Sequence, residues 1–248
     1  MKLKFALLSL IAGVMISCGK DNEMQFEHYT LISDNCDKCV NVDIDIPLAK
    51  SSERKARKIN DQLNSHIVKL IDFSDKGDAE DIKSAIKSFE KAQSQLLSEF
   101  PEAPAKWEAR IKGELSDQTN DLISIHLDSY IYSGGAHGYG SESYLNFDPG
   151  TGDLLTADDL FKSTGSFQDF AEKKFRKDHG LKTDENINSQ GFMFEEDRFV
   201  LPNNIGFTRD SLFLVYNPYE IAAYSEGRIY VGFKLAEVQE FLKVNNKP

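Results

Sequence analysis

The residues of this sequence that could most readily do chemistry lie in a glycine-rich segment, Tyr132-Ser-Gly-Gly-Ala-His-Gly138. Ser133 and His137 could act as nucleophile and base, but no nucleophile elbow and no third partner accompany them. The segment also lacks the Lys-Ser/Thr pair that ends a phosphate-binding loop. Its paired glycines permit positive φ angles, so we predict a sharp loop that presents His137 and Tyr139 for binding.

The histidines give little support for metal-dependent catalysis. They are His28, His66, His126, His137 and His179. No two are near neighbours, whereas catalytic zinc sites commonly use a histidine pair at short spacing. His137 could be joined by distant acids such as Asp148, Asp158 or Asp159, although acidic turn residues are usually solvated or act as caps. We therefore predict no metal site, no cofactor and no catalytic residue.

Composition narrows the class of protein further. The chain has 248 residues, of which 40% are hydrophobic, and this is enough to bury one large core or two small ones. Its 29 basic and 40 acidic side chains give a net charge of -11. The acidic residues are spread along the chain and no clustered basic surface for phosphates is evident in the sequence, so nucleic acid is disfavoured and is not predicted as a partner.

The N-terminus has the pattern of a lipoprotein signal peptide. Two lysines precede an uncharged apolar run over residues 5–16, and Ser17-Cys18-Gly19 follows. The run is shorter than the about 20 residues that a spanning helix needs. We predict a signal peptide over 1–17, lipidation of Cys18 and a tether over 18–25. The protein would then be anchored by lipid in a bacterial envelope, on either face of the outer membrane; a plain secreted protein is the alternative.

The remaining two cysteines, Cys36 and Cys39, form a Cys-x-x-Cys pair. In an oxidising compartment they could close a small disulfide loop. A redox role would need the pair to open a helix, but the alternating pattern after Cys39 predicts a strand. A structural disulfide is the favoured interpretation, and redox activity is the alternative.

Hydrophobic periodicity predicts an α+β fold of two small subdomains, each an antiparallel sheet packed with helices, over 26–132 and 133–248. The first subdomain should contain strands over 26–32 and 40–46, with Pro47 ending the second, then two amphipathic helices and a hairpin over 107–132. Trp107 lies on the inward parity of that hairpin, which favours a core position over a ligand-stacking one. The second should contain a Phe-rich helix near 160–175, followed by strands and a closing helix over 235–244. The predicted strands there are 192–200, 205–207, 212–216 and 228–233.

Three motifs in a fixed order give the sequence a family resemblance. They are Tyr132-Ser-Gly-Gly-Ala-His-Gly138; Asn146-Phe-Asp148 with Asp158-Asp-Leu-Phe161; and Tyr216-Asn-Pro-Tyr-Glu-Ile-Ala-Ala-Tyr224. Together they resemble the extracytoplasmic module of the lysozyme-sensing anti-sigma factor of Gram-positive bacteria. The same module accompanies the catalytic domain of a peptidoglycan N-acetylmuramic acid deacetylase, and its C-terminal part is a domain of unknown function. The separate deacetylase domain, with its histidine pair and catalytic Asp, is not expected here.

The resemblance implies a non-catalytic binding module whose partner is a cationic protein such as lysozyme, and the acidic charge of the chain suits such a partner. A lipid anchor would not transmit a signal as a sensor does, so inhibition or scavenging is expected. The alternatives are a peptidoglycan- or glycan-binding lipoprotein that uses Trp107 or the tyrosines for stacking, and, ranked last, a deacetylase-like enzyme. The predicted binding residues are Ser133, Gly134, Gly135, His137, Tyr139, Tyr216, Tyr219, Glu220 and Tyr224.

Overall fold

The computed structural model describes residues 23–33, 39–103 and 106–244. Their strands are β1 (Phe26–Ile32), β2 (Asn41–Ala49), β3 (Glu108–Gln118), β4 (Ile123–Tyr132), β5 (Tyr139–Phe147), β6 (Ile205–Phe207), β7 (Ser211–Tyr216) and β8 (Ile229–Lys234). Their α-helices are α1 (Arg54–Ile71), α2 (Ile82–Glu99), α3 (Ala157–Leu160), α4 (Thr164–Asp178) and α5 (Leu235–Val238). Within these ranges, no helix is long and apolar enough to cross a membrane.

The first lobe is a five-stranded sheet in the order β1-β2-β3-β4-β5, covered on one face by α1 and α2. The helices bury the stripes that the periodicity predicts, including Ile59, Leu63 and Ile67 of α1. Trp107 is 5% exposed and packs against Phe89, with ring centroids 5.0 Å apart. Its predicted core position is therefore confirmed, and this ring does not offer a stacking surface.

The α+β class and the two sheets are confirmed, but the first sheet is mixed, because β2 and β3 run parallel. The two helices between these strands return the chain to the end of the sheet from which it started, which is the crossover that a parallel pair requires. The sheet also extends past residue 132, since β5 pairs with β4 from Tyr139 to Phe147.

Pro47 does not end β2, contrary to the prediction. It lies opposite His28 of β1, whereas the pairing of β2 with β3 stops at Asp45. Hydrogen-bonded pairs alternate along an antiparallel ladder, and the bond from the Lys50 N–H to the Gln25 carbonyl fixes that alternation. The nitrogen of Pro47 consequently points away from β1, toward β3, whose pairing with β2 has already ended and whose Gly113 lies against the proline ring. Its missing donor therefore costs no ladder bond.

The second lobe is a three-stranded antiparallel sheet in the order β6-β7-β8, with α4 packed against it around a core rich in phenylalanine. Two predicted elements are wrong. The segment 192–200 is no strand, because Phe194 is held by a pair of bonds with the amide of Asn188, at 2.8 and 2.9 Å. The closing helix ends at Val238, since Leu242 forms an extended bridge with Phe161.

Two glycines with positive φ allow a matched test of packing. Gly152 (φ +73) lies so close to the backbone of Lys55 in α1 that a Cβ would overlap its carbonyl, whereas Gly180 (φ +68) has open space around it. Gly180→Ala should cost about 1 kcal/mol from the left-handed conformation alone. Gly152→Ala should cost about 2 kcal/mol more from overlap. Urea unfolding measures both, and equal losses would contradict the close approach of α1 to the 148–153 turn.

A second prediction concerns Asp72, which ends α1. Its carboxylate accepts hydrogen bonds from the Ser74 N–H and the Ser88 hydroxyl, at 2.9 and 2.8 Å. These bonds lower the pKa of Asp72 from 3.8 to about 2, and the bond from the Ser74 N–H has the largest effect. Because the folded pKa is depressed, the stabilisation is present above pH 4 and is lost as the pH falls from about 4 to 2. Denaturation of the wild type and Asp72→Ala should therefore differ at pH 6 and converge toward pH 2. A constant difference would refute this.

Candidate functional site

The glycine-rich segment forms the connection between β4 and β5. Gly134 has φ +89, and a Cβ there would lie 2.8 Å from the Trp107 Nε1. A Cβ on Gly138 would overlap the ring of Tyr130. Glycine is needed at both positions because the loop is pressed against aromatic side chains. Gly135 and His137, between them, remain exposed.

The second predicted segment, 216–224, begins with the last residue of β7. A tight turn follows, closed by the bond from the Glu220 N–H to the Asn217 carbonyl, at 3.1 Å. Tyr219 lies inside this turn with φ +73, a left-handed conformation that a residue with a Cβ rarely adopts. Its side chain is 58% exposed. The turn thus holds a large aromatic ring in solvent at the expense of backbone strain.

The structure brings these two segments together. The His137 ring stacks on Tyr224 with centroids 4.1 Å apart, and the Tyr224 hydroxyl donates to the Gly138 carbonyl at 2.7 Å. The Tyr139 hydroxyl donates to the Pro218 carbonyl at 3.2 Å, and the ring of Tyr219 lies 5.4 Å from that of Tyr224. We name His137, Tyr139, Tyr219 and Tyr224 the tyrosine patch. It combines rings, hydroxyls and an imidazole in one accessible cluster.

The other predicted residues lie around the patch. Tyr216 is buried in the second lobe, where its hydroxyl donates to the Val200 carbonyl at 2.6 Å and burial raises its pKa. It is therefore a core residue. Glu220 lies at the surface, where partial desolvation raises its pKa despite hydrogen bonds from Asn217. Ser133 is half-buried, and His137 Nδ1 pairs with the Gly138 carbonyl at 3.0 Å, so the two do not form a nucleophile–base pair.

The acids considered as partners of His137 have local roles. Asp148 accepts the backbone N–H groups of Gly150 and Thr151 in its turn. Asp159 accepts from the Thr156 N–H at 2.9 Å, and Asp158 from a threonine hydroxyl. Across the described ranges, no three His, Cys, Asp or Glu side chains are grouped so that they could hold a metal ion.

Two asparagines that sequence analysis did not select hold the patch in place. β5 is an edge strand of the first sheet, and the Asn217 amide pairs with the Glu142 N–H and carbonyl at 2.8 and 2.9 Å. The Asn204 amide accepts from the Tyr144 N–H and donates to the Glu142 carbonyl, at 2.7 and 2.8 Å. Side chains of the second lobe thus satisfy backbone groups that a neighbouring strand would otherwise pair.

An ion-pair network reinforces this junction. Arg228 joins Glu142 at 2.8 Å and Asp128 at 2.9 Å, and the Tyr230 hydroxyl donates to the same Glu142 oxygen at 2.7 Å. Burial and the Glu142 carboxylate raise the pKa of Tyr230 to about 12. Asp128 of β4 and Glu142 of β5 are therefore tied to Arg228, just before β8, and Glu142 is also tied to Tyr230 within β8.

A cleft of about 470 Å³ adjoins the patch, between β5 and the 193–204 segment. Asn204, Asn217 and Glu220 are among the residues that line it. The Nε2 of His66 is buried there without a hydrogen-bond partner among the described residues, and burial lowers the pKa of this imidazole. The volume is within the range of small-ligand sites.

The predicted lipidation and disulfide sites involve three cysteines. Cys18 and Cys36 lie outside the described residues. Cys39 is disulfide-bonded, and its pairing with Cys36 stays a prediction. The lipidation of Cys18 is likewise a prediction.

Comparison with known structures gives the class of fold. A DUF3298 family member from Bacteroides fragilis superposes with a TM-score of 0.65 at 19% identity, covering 90% of this chain and 95% of that one. A DUF3298 family protein from Pseudomonas aeruginosa gives 0.62 at 18% identity, covering 92% and 98%. Both superpositions cover the two lobes, so this chain has the same fold as these two proteins.

Family models identify the two parts of the chain. Residues 33–139 match the family described as Deacetylase PdaC, and residues 158–235 match the Protein of unknown function DUF3298. The chain therefore combines a PdaC-type N-terminal domain with a DUF3298 C-terminal domain. The peptidoglycan-N-acetylmuramic acid deacetylase PdaC of Bacillus subtilis is 22% identical over 174 aligned residues, and the match covers 66% of this chain and 37% of that protein. The predicted resemblance to this pair of domains is confirmed.

Removing the Asn217 amide should destabilise the junction. Asn217→Ala leaves the Glu142 N–H of β5 without its partner and removes one of the two amide donors to the Glu142 carbonyl, which should cost about 1–3 kcal/mol. Asn203, which is exposed and forms no hydrogen bond within the described ranges, provides the control, and Asn203→Ala should change stability by less than about 0.5 kcal/mol. Equal urea midpoints for the two variants would contradict the proposed support of β5.

Proposed function

We propose that this chain is a non-catalytic binding module of the bacterial cell envelope that recognises a cationic extracytoplasmic protein, with lysozyme as the first candidate. The observation that carries the proposal is the tyrosine patch, in which two separate motifs form one exposed aromatic surface. Tyrosines of this kind supply large, rigid contact area together with hydroxyls, and they are enriched among residues that dominate binding energy.

The conformation of Tyr219 supports a binding role. A left-handed tyrosine costs the fold about 1–2 kcal/mol, and its ring recovers little of this by burial because it is 58% exposed. Strain that the fold does not use is characteristic of binding sites. Glycine would fill the same turn without strain, so the ring itself is the feature that the turn presents.

The electrostatic character of the patch and of the neighbouring Glu220 suits a basic side chain. Tyrosine faces attract ammonium and guanidinium groups, and Glu220 lies close enough to Tyr139 to contribute, after burial, to the raised pKa of that tyrosine. The net charge of -11 would steer a cationic protein toward the chain from a distance. Contact and long-range attraction therefore favour the same class of partner.

The envelope location rests on two supports. The relative from Bacillus subtilis is named for its action on peptidoglycan N-acetylmuramic acid, and residues 1–19 have the pattern of a signal peptide with a lipidated cysteine. We include the anchor at Cys18 in the proposal. A module held by a lipid anchor at that cysteine would act by inhibition or scavenging of its partner.

A glycan ligand is the second candidate, because the cleft beside the patch is lined by asparagines, tyrosines and His66, whose Nε2 has no hydrogen-bond partner in the described part of the chain. Stacking and hydrogen bonding in such a cleft act at short range. Glycan binding would therefore survive added salt, in contrast to the docking of a basic protein.

The proposal is tested by interferometry of residues 19–248, which retain every described residue, against a c-type lysozyme at low and high salt. We expect a micromolar or tighter complex that weakens with salt. Tyr219→Gly should weaken it at least tenfold while leaving the free energy of unfolding unchanged or raising it by about 1 kcal/mol through relief of strain. His137→Ala should weaken it as well.

Phe100→Ala is the matched control, since Phe100 is an exposed aromatic residue of the first lobe with 59% exposure and lies outside the patch. It should not change binding. Absence of binding at low salt would remove lysozyme and direct the same protein to a peptidoglycan pull-down. Equal losses in Tyr219→Gly and Phe100→Ala would refute the patch.

A further inference from the structure

A groove of about 550 Å³ lies on the second lobe, between α4 and the free edge of the three-stranded sheet. Lys173, Lys174 and Lys177 of α4 line one side, and Lys234 of β8 lines the other. Glu237 is the one acid among the residues that line it in the described part of the chain. In a chain with 40 acidic and 29 basic residues, this is a local reversal of charge. We name it the basic groove.

Most of these lysines have no ion-pair partner within the described ranges. Lys174 pairs with Asp178 at 2.8 Å, whereas Lys173, Lys177 and Lys234 form no ion pair with any described residue. The Glu237 carboxylate is used by the Lys234 backbone N–H, at 3.0 Å. A preference for cations at the end of a helix accounts for Lys177 in the last turn of α4. It does not account for Lys234, which approaches from the sheet.

The backbone adds a donor to the same place. The bond from the Leu235 N–H to the Asp210 carbonyl, at 2.9 Å, fixes the alternation of the β7–β8 ladder. By that alternation, the N–H of Gly232 points away from β7, toward the open side of β8. Among the described residues, nothing accepts a hydrogen bond from this N–H. Gly232 has no side chain to cover it and lines the groove.

The floor of the groove is apolar. Phe170 and Phe213 are half-buried and expose part of their rings, and Phe233 lies beneath them with the Lys174 ammonium 6.0 Å from its ring centroid. Ammonium groups around partly exposed phenylalanines match a ligand that has an acidic group next to an apolar chain. The volume is also within the range of small-ligand sites.

We propose that the basic groove binds an anionic amphiphile. Its phosphate or carboxylate head would be held by the lysine ammonium groups and the Gly232 N–H, and its apolar part would lie on Phe170 and Phe213. The groove shares no residue with the tyrosine patch, so the inference is independent of the proposed function.

The test is calorimetric titration of residues 19–248 with dodecyl phosphate below its micelle concentration. We expect saturable binding, and the Lys173→Glu/Lys177→Glu variant should weaken it at least tenfold. Lys87→Glu/Lys91→Glu is the matched control, because it reverses two exposed lysines at the same spacing on α2 and should change the affinity less than twofold. The Lys173→Arg/Lys177→Arg variant should retain binding.

Two further titrations separate the sources of the anion. Inorganic phosphate should bind at least tenfold more weakly than dodecyl phosphate, because it lacks the apolar part. Binding of phosphatidylglycerol vesicles without binding of dodecyl phosphate would overturn the proposal in favour of contact with a charged membrane surface. Equal losses in the two glutamate variants, or no binding by the wild type, would also overturn it.

Discussion

The pairing of asparagine amides with the backbone of β5 is the interaction on which the rest of the structure depends. A carboxamide carries one donor group and one acceptor in fixed geometry, so it can replace the neighbouring peptide group that an edge strand lacks. Asn204 and Asn217 do this together at Glu142 and Tyr144. Because these bonds have the directionality of a sheet ladder, they define where the second lobe lies against the first.

The tyrosine patch is a product of that placement. Asn217 binds β5 and is followed at once by Pro218, which accepts from Tyr139, and by the strained Tyr219. One short turn thus anchors the second lobe and presents the ring beside His137. The bonds of Arg228, the residue before β8, to Asp128 and Glu142 stabilise the same junction. The tyrosine patch and the contact between the two lobes therefore depend on the same residues.

Much of the fold could be predicted because each amphipathic element faces a single core. The stripe of Ile59, Leu63 and Ile67 predicts α1, and the alternation after Val40 predicts β2. The errors occur where a tertiary contact decides the backbone. Pro47 continues β2 because its nitrogen faces away from β1, on the side where the pairing with β3 has ended. Phe194 is fixed by a side-chain amide that no periodicity reveals. The parallel pairing of β2 with β3 depends on the path of two helices, which hydrophobic spacing does not specify.

The candidate site was predictable in part. Composition selected the tyrosines of the last motif, and alternation along β7 explains why Tyr216 points inward while Tyr219, beyond the end of that strand, does not. Asn204 carries no sequence signal, since its role depends on a strand about 60 residues earlier in the chain.

The residue that follows Asn217 also bears on the chemical lifetime of the protein. Asparagine deamidates when the backbone nitrogen of the next residue attacks the side-chain carbonyl and closes a succinimide ring, and this reaction needs an N–H at that nitrogen. Pro218 has none. The amide that anchors the second lobe is therefore protected from this route of ageing, which would convert a donor into a carboxylate facing the Glu142 carbonyl.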